Sequence, residues 1–110
     1  MEKQLIYGTY KLPKSIEEFG KILEKLLATG IKTIDTAYCY NHGLSEEWIG
    51  KSKNKDFIIS SKVGKYYDDT GKLCVSLNKK DVVNQILESL NRLNMQKLPI
   101  LFLHNYEERR

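Results

Sequence analysis

The chain has 110 residues, of which 41% are hydrophobic and 29% charged, with only two prolines, a make-up that excludes disorder and leaves room for one small core. Its formal net charge of +4 comes from lysines spread along the chain, with Lys51-Ser52-Lys53-Asn54-Lys55 the one local cluster, so a nucleic-acid partner is not expected. No apolar run reaches the roughly 18 residues of a membrane span, no long apolar segment follows Met1, and Cys39 and Cys74 make neither a disulfide framework nor a metal motif. A cytoplasmic chain with no membrane partner, no metal and reduced thiols is the expectation.

Residues 5–9 are β-prone and bounded by Gly8 and Pro13, which reads as a first strand. Ser15 then offers an N-cap with Glu18 completing a capping box. Ile16, Phe19, Ile22, Leu23, Leu26 and Leu27 recur at helical spacing until Gly30 stops the turn. Residues 31–37 read as a second strand. Ser45-Glu46-Glu47-Trp48-Ile49-Gly50 follows as a short helix, with Ser45 as its cap and an acidic first turn. Residues 57–63 form a third strand whose apolar start suits burial on both faces.

The stretch 64–78, with Asp68-Asp69-Thr70-Gly71, reads as a turn-rich loop. Asn78 caps a third helix with Val82, Val83, Ile86, Leu87, Leu90 and Leu93 on one stripe, and residues 99–103 form a fourth strand. The order β-α-β-α-β-α-β, joined by right-handed crossovers, makes the strands parallel in a single α/β unit spanning residues 1–110.

In parallel α/β sheets ligands sit beyond the carboxyl ends of the strands. The second strand carries Asp35 there, the third carries Lys62, and the fourth carries His104, with Tyr40 following Asp35 by five residues. A free phenol ionises near pH 10, and an ammonium within about 4–6 Å lowers that by roughly one to three units. Lys62 beside Tyr40 would favour proton exchange, with Asp35 holding Lys62 and His104 bonding a substrate oxygen. Such a general acid is worth roughly 10²–10⁴-fold. Tyr38, Tyr66, Tyr67 and Trp48 read as packing residues, Cys39 as a small buried hydrophobe and His42 as a loop residue.

Four segments together resemble the aldo-keto reductases. Gly30-Ile31-Lys32-Thr33-Ile34-Asp35-Thr36-Ala37-Tyr38-Cys39-Tyr40-Asn41 is similar to the family's signature around its catalytic Asp and Tyr, and Ser45 to Gly50 to its following helix. Ser60-Ser61-Lys62-Val63-Gly64 is similar to the segment bearing the catalytic Lys. Glu88-Ser89-Leu90-Asn91-Arg92-Leu93 with Ile100-Leu101-Phe102-Leu103-His104 is similar to the segment leading to the catalytic His.

The resemblance implies a (β/α)8 barrel of TIM type and reduction of an aldehyde or ketone with NADPH, or NADH, as cofactor. It assigns catalytic roles to Asp35, Tyr40, Lys62 and His104, with Tyr40 as general acid, and places Gly8, Thr9, Asp35 and Tyr40 beside the cofactor. A complete barrel takes roughly 250 residues, so the chain reads as a half barrel truncated after the fourth strand. A small-molecule carbonyl substrate is expected, with self-association or a complementing second half needed for activity. The alternative is a catalytically silent half barrel acting as an interaction module.

Overall fold

The computed structural model describes residues 5–52 and 56–103. Strands β1 (Ile6–Gly8), β2 (Thr33–Asp35), β3 (Ile58–Val63) and, after a hairpin, β6 (Ile100–Leu103) form one sheet in the order β1-β2-β3-β6. Every pairing in that sheet is parallel. Helices α1 (Ile16–Ala28) and α3 (Lys79–Leu93) make the long crossovers, and the short α2 (Leu44–Gly50) lies between β2 and β3. No helix among the described residues is long and apolar enough to cross a membrane.

Local chemistry accounts for the helix ends. The Ser15 hydroxyl accepts from the Glu18 amide at 3.1 Å, and the Asn78 side chain accepts from the Asp81 amide at 2.9 Å. Glu18 reaches back to the Lys14 amide, one residue before the expected box partner, at 3.4 Å. At the far end of α1, Gly30 takes φ +89, which lets the Ile31 amide turn back to the Leu26 carbonyl at 2.9 Å.

The core lies between the sheet and the helices. Phe19 and Leu23 of α1, Ile34 of β2, Ile59 of β3, Ile49 of α2 and Leu93 of α3 are all fully buried in it. Each such side chain contributes roughly 1.5–3 kcal/mol relative to exposure. Trp48 packs against this core as expected, its ring 5.7 Å from that of Phe19.

Three expectations are corrected. The apolar start of β3 is not covered on both faces: Ile59, Ser61 and Val63 are buried on one face, while on the other, where Ser60 is buried, Ile58 is 49% exposed, as are Ile6 (59%) and Phe102 (54%) on that same face of the sheet. The physical reason is that the apolar core cluster, with Ile34 and Ile59, packs on the other face, so these side chains meet no apolar layer. The stretch after Gly64 is not a plain loop but an antiparallel hairpin of β4 (Lys65–Tyr67) and β5 (Leu73–Val75). Asp68 closes its turn by accepting from the Thr70 amide and hydroxyl and the Lys72 amide. Ser45 is not a cap: α2 starts from Gly43 with no side-chain cap, and the Ser45 hydroxyl instead donates to the Thr9 carbonyl at 2.8 Å.

Helices α2 and α3 meet at Gly50, where a Cβ would collide with the Arg92 backbone oxygen. Gly50→Ala must therefore push the helices apart, and a loss of about 1–3 kcal/mol in urea unfolding is expected; an unchanged midpoint would contradict that close approach.

Candidate active site

The uncovered face of the sheet is where the acid and base meet. Strand register places Gly8, Asp35 and Ser60 in one row across β1, β2 and β3, and Lys62 follows two residues on, on the same face. Lys62 Nζ donates to Asp35 Oδ2 at 2.7 Å and to the Thr36 carbonyl at 2.9 Å, and the Ser60 hydroxyl donates to Asp35 Oδ1 at 2.8 Å. The pair is partly buried, the Lys62 and Asp35 side chains keeping 17% and 33% exposure. Both oxygens of Asp35 are thus engaged, which fixes the carboxylate and, through it, the ammonium.

Beyond Asp35 the chain leaves regular β structure but stays bonded to β3, the Thr36 amide donating to the Ser60 carbonyl and the Tyr38 amide to the Lys62 carbonyl. That run delivers Tyr40 to Lys62, whose Nζ lies 5.2 Å from the centre of the Tyr40 ring. Tyr10 braces the same ring edge-on, with centroids 5.3 Å apart. Three of the four expected residues, Asp35, Tyr40 and Lys62, therefore share one site. His104 lies outside the described residues.

Of the two β1 positions, Gly8 leaves open space where a Cβ would sit, so the floor beside Asp35 is flat. Thr9 is fully buried and is turned away from that floor, its hydroxyl donating to the Asp35 carbonyl at 3.1 Å. It bears on the site through the β2 backbone.

A second polar cluster, unforeseen in the sequence, lies behind the Tyr40 segment. Glu46 of α2 is completely buried; it accepts from the Ser61 hydroxyl at 2.8 Å and from Arg92 Nη1 at 3.1 Å. The same Arg92 nitrogen donates to the Tyr38 carbonyl at 2.8 Å, and the guanidinium lies 4.3 Å from the Tyr38 ring centre. Tyr38 donates its phenol proton to Glu88, and burial together with that carboxylate pushes its pKa up to about 12. One sequence signal was present: Glu88 and Arg92 stand four residues apart, on one helix face. Tyr38 and Arg92 also line a cleft of about 480 Å³ between α3 and the β4–β5 hairpin, separate from the acid-base residues. Cys39 is buried at the cleft edge, and that burial pushes its thiol pKa up, so it is no activated nucleophile.

The family model for the aldo/keto reductase family matches residues 4–109. Among solved structures, the aldo-keto reductase AKR11C1 of Bacillus halodurans in its holo form superposes with a TM-score of 0.81 at 29% identity, over 92% of this chain and 35% of that one. Among curated proteins, the aldo-keto reductase ausK of Aspergillus calidoustus is 32% identical over 78% of this chain and 24% of its own length. A Schizosaccharomyces pombe protein named as an aryl-alcohol dehydrogenase is 28% identical over 83% of this chain and 33% of its own. The chain thus spans a quarter to a third of the curated relatives it matches. Its open four-stranded sheet is an α/β part of the barrel fold of such neighbours, without closure among the described residues.

Proposed function

The chain belongs to the aldo/keto reductase family, an oxidoreductase family, and from that membership we propose that it supplies the proton-donating part of a site that reduces an aldehyde or ketone. The observation that supports this best is the Asp35–Lys62 pair at 2.7 Å, with the ammonium 5.2 Å from the Tyr40 ring centre, on the open face of the sheet.

A nicotinamide nucleotide, NADPH or NADH, supplies the hydride when bound. The flat floor at Gly8 beside Asp35 suits a planar ring, and the Gly8–Thr9 backbone with Asp35 and Tyr40 would border it. Tyr40 then gives its phenolic proton to the carbonyl oxygen as negative charge grows there. Lys62 stabilises the phenolate left behind, and Asp35, anchored by Ser60, keeps the ammonium in place. His104 is assigned the hydrogen bond that orients the carbonyl oxygen.

Barrel closure is part of the proposal. Both sheet edges, β1 and β6, are unpaired among the described residues, and a second half from another chain or a second copy would pair them. The test joins this chain to the remainder of the Bacillus halodurans reductase and follows NADPH consumption at 340 nm with an aromatic aldehyde. Turnover absent from the joined remainder alone is the expected result. A folded assembly that binds NADPH without turnover would overturn the proposal.

A further inference from the structure

The backbone next to Tyr40 is strained. Asn41 (φ 53, ψ 39), His42 (φ 56, ψ 35) and Gly43 (φ 94) are three successive residues in left-handed conformation. For a side-chain-bearing residue that conformation costs on the order of 1–3 kcal/mol and persists only where the surroundings over-determine it. Asn41 is held by its amide, which donates to the Tyr10 carbonyl at 2.9 Å and to the Ser45 hydroxyl at 2.8 Å. His42 is stacked on Tyr67 of the hairpin with ring centres 3.9 Å apart.

One residue reaches both sides of Tyr40, before and within the strained run. Arg92 Nη1 donates to the Tyr38 carbonyl, three residues before the run, and the guanidinium lies so close to Gly43, its last residue, that a Cβ there would stand 2.7 Å from Arg92 Cζ. The guanidinium is itself fixed by the buried Glu46 carboxylate and by the face of the Tyr38 ring. We propose that Arg92 is a positioning residue for Tyr40: it clamps residues 38 and 43, keeps Asn41 and His42 between them left-handed, and so holds the phenol against Tyr10 and Lys62.

The proposal rests on Tyr40 being the proton donor but concerns its placement, which is measurable without turnover. A planar guanidinium can bond the Tyr38 carbonyl, pair with Glu46, stack on the Tyr38 ring and lie flat on Gly43 at once; an ammonium cannot. Arg92→Lys therefore keeps the buried charge and loses the clamp.

The experiment is residue-resolved hydrogen exchange and NMR on the full chain. The Tyr40 and His42 amides donate to the Ala37 and Cys39 carbonyls at 3.2 and 3.1 Å and report the segment directly. In Arg92→Lys their exchange is expected to quicken by about tenfold or more, and the cross-ring contact of Tyr10 with Tyr40 to vanish, while α1 amides keep their protection. Ser61→Ala, which removes a different hydrogen bond from Glu46, is expected to leave both reporters unchanged. Unchanged Tyr40 and His42 exchange in Arg92→Lys would overturn the proposal, as would a uniform rise through α1 and β3, which marks a general structural role. Should that variant fail to fold, the wild-type guanidinium decides. Its protons are expected in slow exchange with a contact to the Gly43 Hα, and a freely exchanging Arg92 side chain would overturn the clamp.

Discussion

Tyr40→Phe is expected to lower carbonyl reduction by roughly 10²–10⁴-fold in the assembled protein, the range a positioned general acid contributes. The change removes one oxygen and leaves the ring that packs edge-on against Tyr10 at 5.3 Å, so the urea midpoint is expected to move little. The loss is expected mainly in kcat, because the proton is transferred in the transition state and not on binding. Steady-state kinetics with a saturating aldehyde read this directly. Retained turnover in a folded Tyr40→Phe variant would remove Tyr40 from the acid role and leave the Lys62–Asp35 pair without a phenol to serve.

Glu46→Ala is expected to be among the most destabilising single changes in the chain. Glu46 has no exposure at all, and its loss strands Arg92 beside the Tyr38 carbonyl and leaves the Ser61 hydroxyl without its acceptor. Removing one partner of a buried ion pair costs roughly 3–5 kcal/mol. Arg92 retains 20% exposure and can draw in some water, so a value of about 3 kcal/mol, near the low end, is expected. Against the 5–15 kcal/mol typical of a whole domain, that is a large fraction. Glu46→Gln, which keeps the shape and one of the two acceptor oxygens, is expected to cost less. A shift below about 1 kcal/mol for Glu46→Ala in urea unfolding would show that the pair contributes little.

The two variants separate what was legible in the sequence from what was not. Asp35 and Lys62 were legible because one ends its strand and the other stands one residue before the end of its own in a parallel arrangement, and parallel register then puts them on one face. The caps Ser15 and Asn78 were legible because the bonds they make span three residues. Glu46 was misread as an ordinary acidic residue in a first helical turn, since its partner Arg92 lies 46 residues away and nothing local announces burial. The hairpin was hidden for a related reason: Tyr66 and Cys74 pair across a turn shaped by the Asp68 side chain, and neither flank alone has a strong alternating pattern.

The uncovered face of β3 marks another limit. An apolar run such as Phe57-Ile58-Ile59 signals a strand that could be covered on both sides, but it does not say which element does the covering. Likewise the left-handed run after Tyr40 is only hinted at by Asn41 and Gly43, residues that tolerate positive φ. What holds His42 there is tertiary, its stack on Tyr67, together with Arg92 against Gly43 at the end of the run.

Tyr40 and Lys62 are proposed to act as one proton-donating unit, and a double-mutant cycle in turnover decides whether they do. If Lys62 works through Tyr40, then Tyr40→Phe combined with Lys62→Met costs about as much in kcat as the worse single change. Losses that multiply, so that the double variant falls by the product of the two single effects, would show independent roles and contradict the claim.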